Sequence, residues 1–465
     1  MLPPGTKHVH FIGIGGYGMS ALALILLEKG YRVSGSDLKE SQLTANLSAR
    51  GAEIFTGHRP ENLGSARLVV YSTAVPAGNP ELVAAREKGL ALWHRSELLA
   101  ALLNTSYGIA IAGAHGKTTT TAMAALLLEA GGLDPTAVIG GVLPAYGSNA
   151  RLGGSEYLVA EADESDRSFT RYYPRLALVT GIEADHLEHY SNDYNNLRQA
   201  YSTFLSHLPA EGTAVLCDDD PALRTLAADL GCRVVYYALA ANPTVQPDYH
   251  AAGITVNGLS STFDFLCRGE TAARGVALNV PGSHNISNAV GALALTAELG
   301  LDPAACAPAL AAFTGVGRRF EIIGRARGVT VVDDYAHHPT EVRATLEAAK
   351  PSAGRLICLF QPHRYSRTAS LLEEFSRAFD DADLLLLHSV YSAGEEPVPG
   401  ATSEALAEQI RSLGRVVVHY SEEIAVLEEK AAALAAPGDM VITMGAGDVT
   451  NSAPRILARL RETDR

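Results

Sequence analysis

Residues 107–131, YGIAIAGAHGKTTTTAMAALLLEAG, read as a short apolar strand, a tight glycine turn, a Gly-Lys-Thr step and a helix. That order is the layout of a phosphate-binding loop, in which backbone N–H groups and the positive end of a helix face anionic oxygens. The common frame, G-x-x-x-x-G-K-[ST], would put its first glycine at 111, where Ile111 stands. An ordinary strand–helix turn containing glycine gives part of the same pattern, but Gly-Lys-Thr at the helix start favours phosphate. On that reading Gly113, Ala114, His115, Gly116, Lys117, Thr118 and Thr119 cradle the phosphates of ATP. Lys117 reaches the outer phosphates and the Thr118 hydroxyl suits Mg²⁺.

Outward from this stretch, apolar strand-like runs alternate with helical patterns almost throughout, which predicts an α/β chain of βαβ units. A chain of 465 residues exceeds one core. Three blocks divide it, opening at HVHFIGIGGYGMS (8–20), at the quoted stretch, and at GVGRRFEII (315–323). Boundaries near 105 and 316 give three expected domains: 1–105, Rossmann-like; 106–315, P-loop ATPase-type with a mostly parallel sheet and a small β meander at about 245–280; and 316–465, Rossmann-like.

Hydrophobic residues at 47% and charged residues at 19% describe a soluble globular protein. The net charge of −14 argues against a nucleic-acid or anionic-membrane surface, which needs a basic footprint. Five dispersed cysteines without a C-x-x-C pair imply neither zinc nor a disulfide framework, and suit a reducing compartment. The start lacks a signal-peptide layout, and no run approaches the ~18 apolar residues of a membrane span. The expected setting is the cytoplasm.

Other strand ends carry candidate chemistry. EYLVAEADESD (156–166) ends in Glu161, Asp163, Glu164 and Asp166, and LALVTGIEADHLEHY (176–190) in Glu183, Asp185, His186 and His189. Parallel sheets place their sites at such ends, and hard carboxylate oxygens suit Mg²⁺. Glu161 and His186 are the metal candidates; most of the other carboxylates read as solvated loops. GIGGYG satisfies G-x-G-x-x-G through Gly13, Gly15 and Gly18, with Asp37 ending the next strand. NAD, FAD or any other nucleoside diphosphate would fit it. DDYAHHP (333–339) and QPHRYSRT (361–368) follow apolar strands and offer Tyr335, His337, His363, Arg364 and Arg367. Arginine forks suit carboxylate or phosphate, and a turn or helix could aim Arg364 and Arg367 at one ligand; a surface arginine pair can equally be a solvated face.

Taken together, GIGGYGMS, GAHGKTTTT, EADESD, EADH, GSHNISNA, GRRFE, DDYAHHPTE and PHRYSRT, in this order and spacing over essentially the whole chain, resemble the Mur ligase family. That family uses a shortened G-x-x-G-K-[ST] loop, so Ile111 is no defect. The resemblance implies ATP-driven phosphorylation of a carboxylate on a UDP-sugar, followed by attack of an amino acid's amine on the acyl phosphate. It implies UDP-N-acetylmuramate and L-alanine as substrates, ATP and Mg²⁺ as cofactors, and a place in peptidoglycan precursor synthesis, as a monomer or weak dimer.

By the same resemblance Gly13, Gly15, Gly16 and Gly18 would hold the UDP diphosphate, with Asp37 near the nucleoside and Ser72 also on the sugar-nucleotide side. Thr118, Glu161 and His186 would hold metal. His284, Asn285 and Asn288 would lie near the adenine and Arg319 near the phosphates. Tyr335, His337, His363, Arg364 and Arg367 would frame the amino-acid pocket. The catalytic set would be Lys117, Glu161, His186, Arg319, His337, Arg364 and Arg367. Several sister ligases use a carbamylated lysine, but no lysine occurs between Lys117 and Lys350, which fits the alanine-adding member. A recycling ligase for a ready-made tripeptide shares the scaffold. An NAD-dependent oxidoreductase would rest on GIGGYG and Asp37 alone.

Overall fold

The computed structural model describes residues 2–241 and 246–462, and in it the α/β alternation becomes three parallel-rich sheets. The first is β1 (His8–Ile12), β2 (Arg32–Asp37), β3 (Glu53–Thr56), β4 (Leu68–Tyr71) and β5 (Ala91–His94), in the order β3-β2-β1-β4-β5. All its pairings are parallel. The order reverses at β1, so the loop that follows β1 sits at a switch point, where a crevice opens beyond the strand ends.

The second sheet holds β6 (Tyr107–Ala112), β7 (Thr136–Leu143), β8 (Ser148–Arg151), β9 (Tyr157–Glu161), β10 (Leu176–Val179), β11 (Thr213–Cys217) and β12 (Arg233–Ala238). It continues through β13 (Tyr249–Asn257), β14 (Ser260–Cys267) and β15 (Glu270–Leu278). Its order is β15-β14-β13-β12-β11-β10-β6-β9-β7-β8. β6 lies between β10 and β9, paired parallel to both, so the quoted stretch also ends at a switch point. β13 to β15 are the expected meander; its expected start at 245 lies outside the described residues.

The third sheet has the order β16-β17-β21-β18-β19-β20, from β16 (Glu321–Ala326), β17 (Val329–Asp334), β18 (Leu356–Phe360), β19 (Leu384–His388), β20 (Val417–Ser421) and β21 (Met440–Met444). Only β16 runs antiparallel in it. β1, β18 and β21 are buried along their whole length, as strands covered on both faces must be.

By compactness the chain forms two units. One holds 1–254, 262–277 and 286–313; the other holds 255–261, 278–285 and 314–465. Within the first unit, α1 (Tyr17–Glu28) packs on β7 and β8. Buried Asn149 fastens that contact by donating to the Tyr17 carbonyl at 2.5 Å and to the Ser20 hydroxyl at 3.0 Å. The five cysteines are free thiols. Among the described residues no helix is long and apolar enough to cross a membrane.

Candidate active site

The helix starts of the first two sheets are of two kinds. α2 (Gln42–Ala49), α3 (Pro80–Glu87) and α4 (Arg95–Leu103) are capped by the side chains of Ser41, Asn79 and His94. α1 and α5 (Lys117–Ala130) begin instead at Gly16 and Gly116 with no side-chain cap. Both starts lie at the switch points, where a helix N-terminus suits an anion.

In the first sheet the glycine loop is folded onto β2. Gly13 (φ 78°) and Ile14 donate to the Ser36 carbonyl at 2.8 and 3.0 Å, and Gly15 donates to the Asp37 carboxylate at 2.8 Å. A Cβ on Gly15 would lie 2.9 Å from that carboxylate oxygen, so the loop needs glycine there. Asp37 thus shapes the loop from within, and its second oxygen accepts from the Leu38 N–H at 2.7 Å. Ser72 is half-buried just beyond β4.

In the second sheet Gly113 (φ 132°) and Gly116 (φ 80°) turn the chain from β6 into α5. A side chain on Gly113 would run into Thr180, and one on Gly116 would lie 2.5 Å from the Asn288 amide oxygen. Asn288 therefore lies against the phosphate loop itself. The Lys117 ammonium contacts the Gly113 carbonyl at 2.6 Å and both oxygens of the buried Glu164 carboxylate at 2.8 and 2.9 Å. Burial disfavours that ammonium, but Glu164 and Asp163 outweigh burial and raise its pKa. Thr118 and Thr119 are buried at the helix start, and the Thr118 hydroxyl donates to Glu161 at 3.2 Å. The other Glu161 oxygen accepts from the Gly140 N–H. His115 pairs with Glu183 at 2.7 Å.

His186 starts a short turn in a left-handed conformation, φ 54°, with ring nitrogens 3.5 Å from Asp185 and 3.7 Å from Glu188. The adjacent His186 ring is the main cause that holds the Glu188 carboxyl down to about 2. Thr118 and Glu161 therefore form a compact pair of hard oxygens beside the uncapped helix start, a donor set that fits Mg²⁺. The helix Ser283–Glu298 carries His284, Asn285 and Asn288; Asn285 is buried and donates to the Pro281 carbonyl at 2.7 Å.

At the third sheet the loops after β17, β18 and β19 meet in an aromatic cluster. Tyr335 and His337 have ring centroids 5.1 Å apart, His337 and His363 5.8 Å, and His363 stacks on Tyr391 at 5.6 Å and 9°. Arg367 is buried inside the helix Tyr365–Ser370, its guanidinium 3.5 Å from the His363 ring. Arg364 lies outside that helix as its N-cap, with φ 71°, and its guanidinium approaches Glu395 at 4.0 Å. Arg364 and Arg367 thus leave from different backbone states, one at the helix cap and one inside the helix. Arg319 lies over the Tyr335 ring at 5.2 Å and 3.7 Å from Glu341.

Tyr391, Glu341 and Glu395 escaped the sequence reading. Glu341 was visible as the glutamate three residues into the helix that His338 caps, a capping-box position whose structural role masks its place beside His337, 3.3 Å away. Tyr391 was visible only as the aromatic residue following LLLLHSV.

Two nucleotide-type glycine loops, a lysine–carboxylate pair at the second, and an arginine–aromatic cluster on a third sheet define a ligase scaffold of the nucleotide-binding α/β class. The chain belongs to the Mur ligase family: residues 8–107 match its catalytic domain, 111–296 its middle domain and 318–447 its glutamate ligase domain. A UDP-N-acetylmuramate–L-alanine ligase of Anaeromyxobacter dehalogenans (strain 2CP-C) is 47% identical over 456 residues, 97% of each chain. The crystal structure of a UDP-N-acetylmuramate-alanine ligase from Thermotoga maritima superposes with TM-score 0.83 at 29% identity, covering 98% of this chain and 100% of that one. A murein peptide ligase from Psychrobacter arcticus 273-4 matches with TM-score 0.72 at 26% identity, covering 98% of both chains.

Proposed function

We propose that this chain is an ATP-dependent amide-forming ligase that joins L-alanine to UDP-N-acetylmuramate through an acyl phosphate. The observation that carries the reading is identity near one half with curated alanine ligases along the whole length of both chains. Activation by ATP is chemically necessary, because a carboxylate is a poor electrophile and oxide a poor leaving group. Catalysis of both steps is then mainly positioning and charge neutralisation.

The roles divide by domain. Residues 1–105 bind the sugar nucleotide, with Gly13, Gly15, Gly16 and Gly18 at its diphosphate and Asp37 and Ser72 alongside. Residues 106–315 bind ATP, with the uncapped start of α5 and Lys117 on the phosphates. Thr118 and Glu161, together with His186, would hold Mg²⁺, which when bound supplies positive charge against the phosphates. The aromatic cluster in 316–465 orients the amino acid: Arg367 takes its carboxylate, while Tyr335, His337 and His363 enclose the small side chain. The setting is the cytoplasm, where ATP and the sugar nucleotide are available.

The test is phosphate release from ATP in the presence of UDP-N-acetylmuramate across a panel of amino acids and the murein tripeptide. Release with L-alanine supports the assignment. Release only with the tripeptide moves the protein to the recycling activity, and no release with any amine removes it from ligation.

A further inference from the structure

Beneath the first glycine loop lies a carboxylate with no part in the chemistry above. Glu81 is 0% exposed, at the second position of α3. Around it converge the Ser36 hydroxyl at 2.5 Å, the Asn62 amide at 2.6 Å, the Arg59 N–H at 3.2 Å, His58 at 3.3 Å and His10, itself 0% exposed, at 3.5 Å. These groups come from β1, β2 and the segment after β3, so one carboxylate ties three parts of the domain together.

Two hydrogen-bonded routes lead from Glu81 to the loop. In one, Glu81 holds the Ser36 side chain, and the Ser36 carbonyl holds Gly13 and Ile14. In the other, the Asn62 amide that donates to Glu81 also donates to the Gly57 carbonyl at 3.0 Å, and Gly57 donates to the Asp37 carbonyl at 2.7 Å. Asp37 in turn grips Gly15. Both routes end on the turn that presents the start of α1.

We infer that Glu81 is a positioning residue for sugar-nucleotide binding, fixing β2 so that the Gly13–Gly18 loop is preformed for the diphosphate. The inference rests on the reading of that loop as the sugar-nucleotide site. Burial alone would raise the Glu81 carboxyl, but the His10 ring 3.5 Å away and hydrogen bonds from Ser36 and Asn62 outweigh it and hold the group at about 2. The N-terminus of α3 adds to this, since a helix start favours an anion. A buried ion is weak evidence for stability in itself, because desolvation offsets its attractions, so its geometry is the better guide to its role.

The neighbouring histidines extend the same arrangement. The Ser34 hydroxyl lies 2.8 Å from both the His10 Nδ1 and the His8 Nε2. That hydroxyl joins the two rings, and the His10 Nε2 faces Glu81. Glu81 thereby orders the core under β1 as well as the end of β2.

The test compares KM for UDP-N-acetylmuramate, KM for ATP and kcat in Glu81→Gln, in the milder Ser36→Ala, and in Gly15→Ala, whose added Cβ would press on Asp37. Glu81→Gln should raise the sugar-nucleotide KM roughly five- to tenfold, with kcat and the ATP KM within about twofold, and Ser36→Ala should move the same constant by less. Should Glu81→Gln fail to fold, Ser36→Ala carries the comparison alone. A raised KM in Gly15→Ala with unchanged constants in the folded Glu81→Gln and in Ser36→Ala overturns the inference and leaves the loop assignment standing. An unchanged KM in Gly15→Ala removes the loop assignment itself. A lower melting temperature in Glu81→Gln with all three kinetic constants unmoved makes Glu81 purely structural and likewise overturns the inference.

Discussion

Removing the Lys117 ammonium does two things at once. It deletes the cation proposed to meet the transferring phosphate, and it leaves Glu164 buried without its partner. Lys117→Ala should cut ATP turnover by ~10²–10³-fold or more. It should also lower the unfolding free energy by ~3 kcal/mol, the scale of an orphaned buried charge. Adding Glu164→Gln should restore much of the stability and none of the turnover. Calorimetry beside a phosphate-release assay checks this, and recovery of turnover in the double variant would remove Lys117 from the chemistry. His337 offers a second measurement at the same scale. Desolvation in its pocket is the main cause of its lowered pKa, with the charge of Arg367 adding and Glu341 opposing, and the result is about 3. Since an unfolded histidine titrates near ~6.5, the contribution of neutral His337 to stability is present above that pH and lost as the pH falls toward 3. Asp334, pushed up by burial to about 6, runs the other way: its contribution is present below ~3.9 and lost as the pH rises through 6. Histidine NMR should therefore show the His337 ring neutral at pH 5, where exposed histidines are protonated; an imidazolium there would contradict it.

At the scale of elements, the helix Tyr365–Ser370 gives the two arginines different backbone settings. It buries Arg367 beside His363 and leaves Arg364 on its left-handed cap. Arg367→Ala should raise the L-alanine KM ten- to a hundredfold, as loss of a charged hydrogen-bond partner does, with UDP-N-acetylmuramate binding nearly unchanged. Arg364→Ala should have the smaller effect. Steady-state kinetics with each substrate varied in turn reads this directly, and the opposite ranking would reassign the pocket. The contrast also marks what sequence could tell. Strand runs such as LICLF and MVITM, and the Gly-Lys-Thr step, declare themselves because burial on both faces and a glycine-started helix leave local signatures. The different backbone states of Arg364 and Arg367 do not, because spacing along the chain says nothing about one residue adopting φ 71°. Tyr391 and Glu395 were hidden for the related reason that their partners, His363 and Arg364, are remote in sequence and meet them only through the parallel order of β18 and β19.

At the scale of the whole molecule, the alternation of strands and helices was legible as three α/β blocks, whereas the compaction of the first two sheets into one unit was not. Its two sheets meet where α1 packs on β7 and β8, and through long-range contacts such as Asn149 reaching Tyr17 and Arg95 pairing with Asp163 at 2.8 Å. The motifs do not announce these pairings: Tyr17 lies in GIGGYG and Asp163 in EADESD, while Asn149 and Arg95 lie in neither. Two units with separate cores need not unfold as one. Scanning calorimetry should resolve two transitions, and UDP-N-acetylmuramate at about a hundred times its Kd should stabilise the unit holding the first sheet by ~2.7 kcal/mol. A single transition that moves as a whole on adding the sugar nucleotide would show the units to be thermodynamically one.

The pairing of Lys117 with Glu164 also has a use outside catalysis. Between Lys88 and Lys350 the chain carries no other lysine, so one amine stands in the whole span that includes the ATP domain. Its raised pKa keeps that amine protonated and poorly nucleophilic toward general acylating reagents. A nucleotide-directed acyl phosphate probe, which holds its acyl group at the phosphate position, would acylate the amine selectively once the ammonium passes a proton to Glu164, the nucleotide phosphate being the leaving group. A single labelled peptide in a mass spectrum would then report occupancy of the ATP site in a crude extract, without purification and without an activity assay.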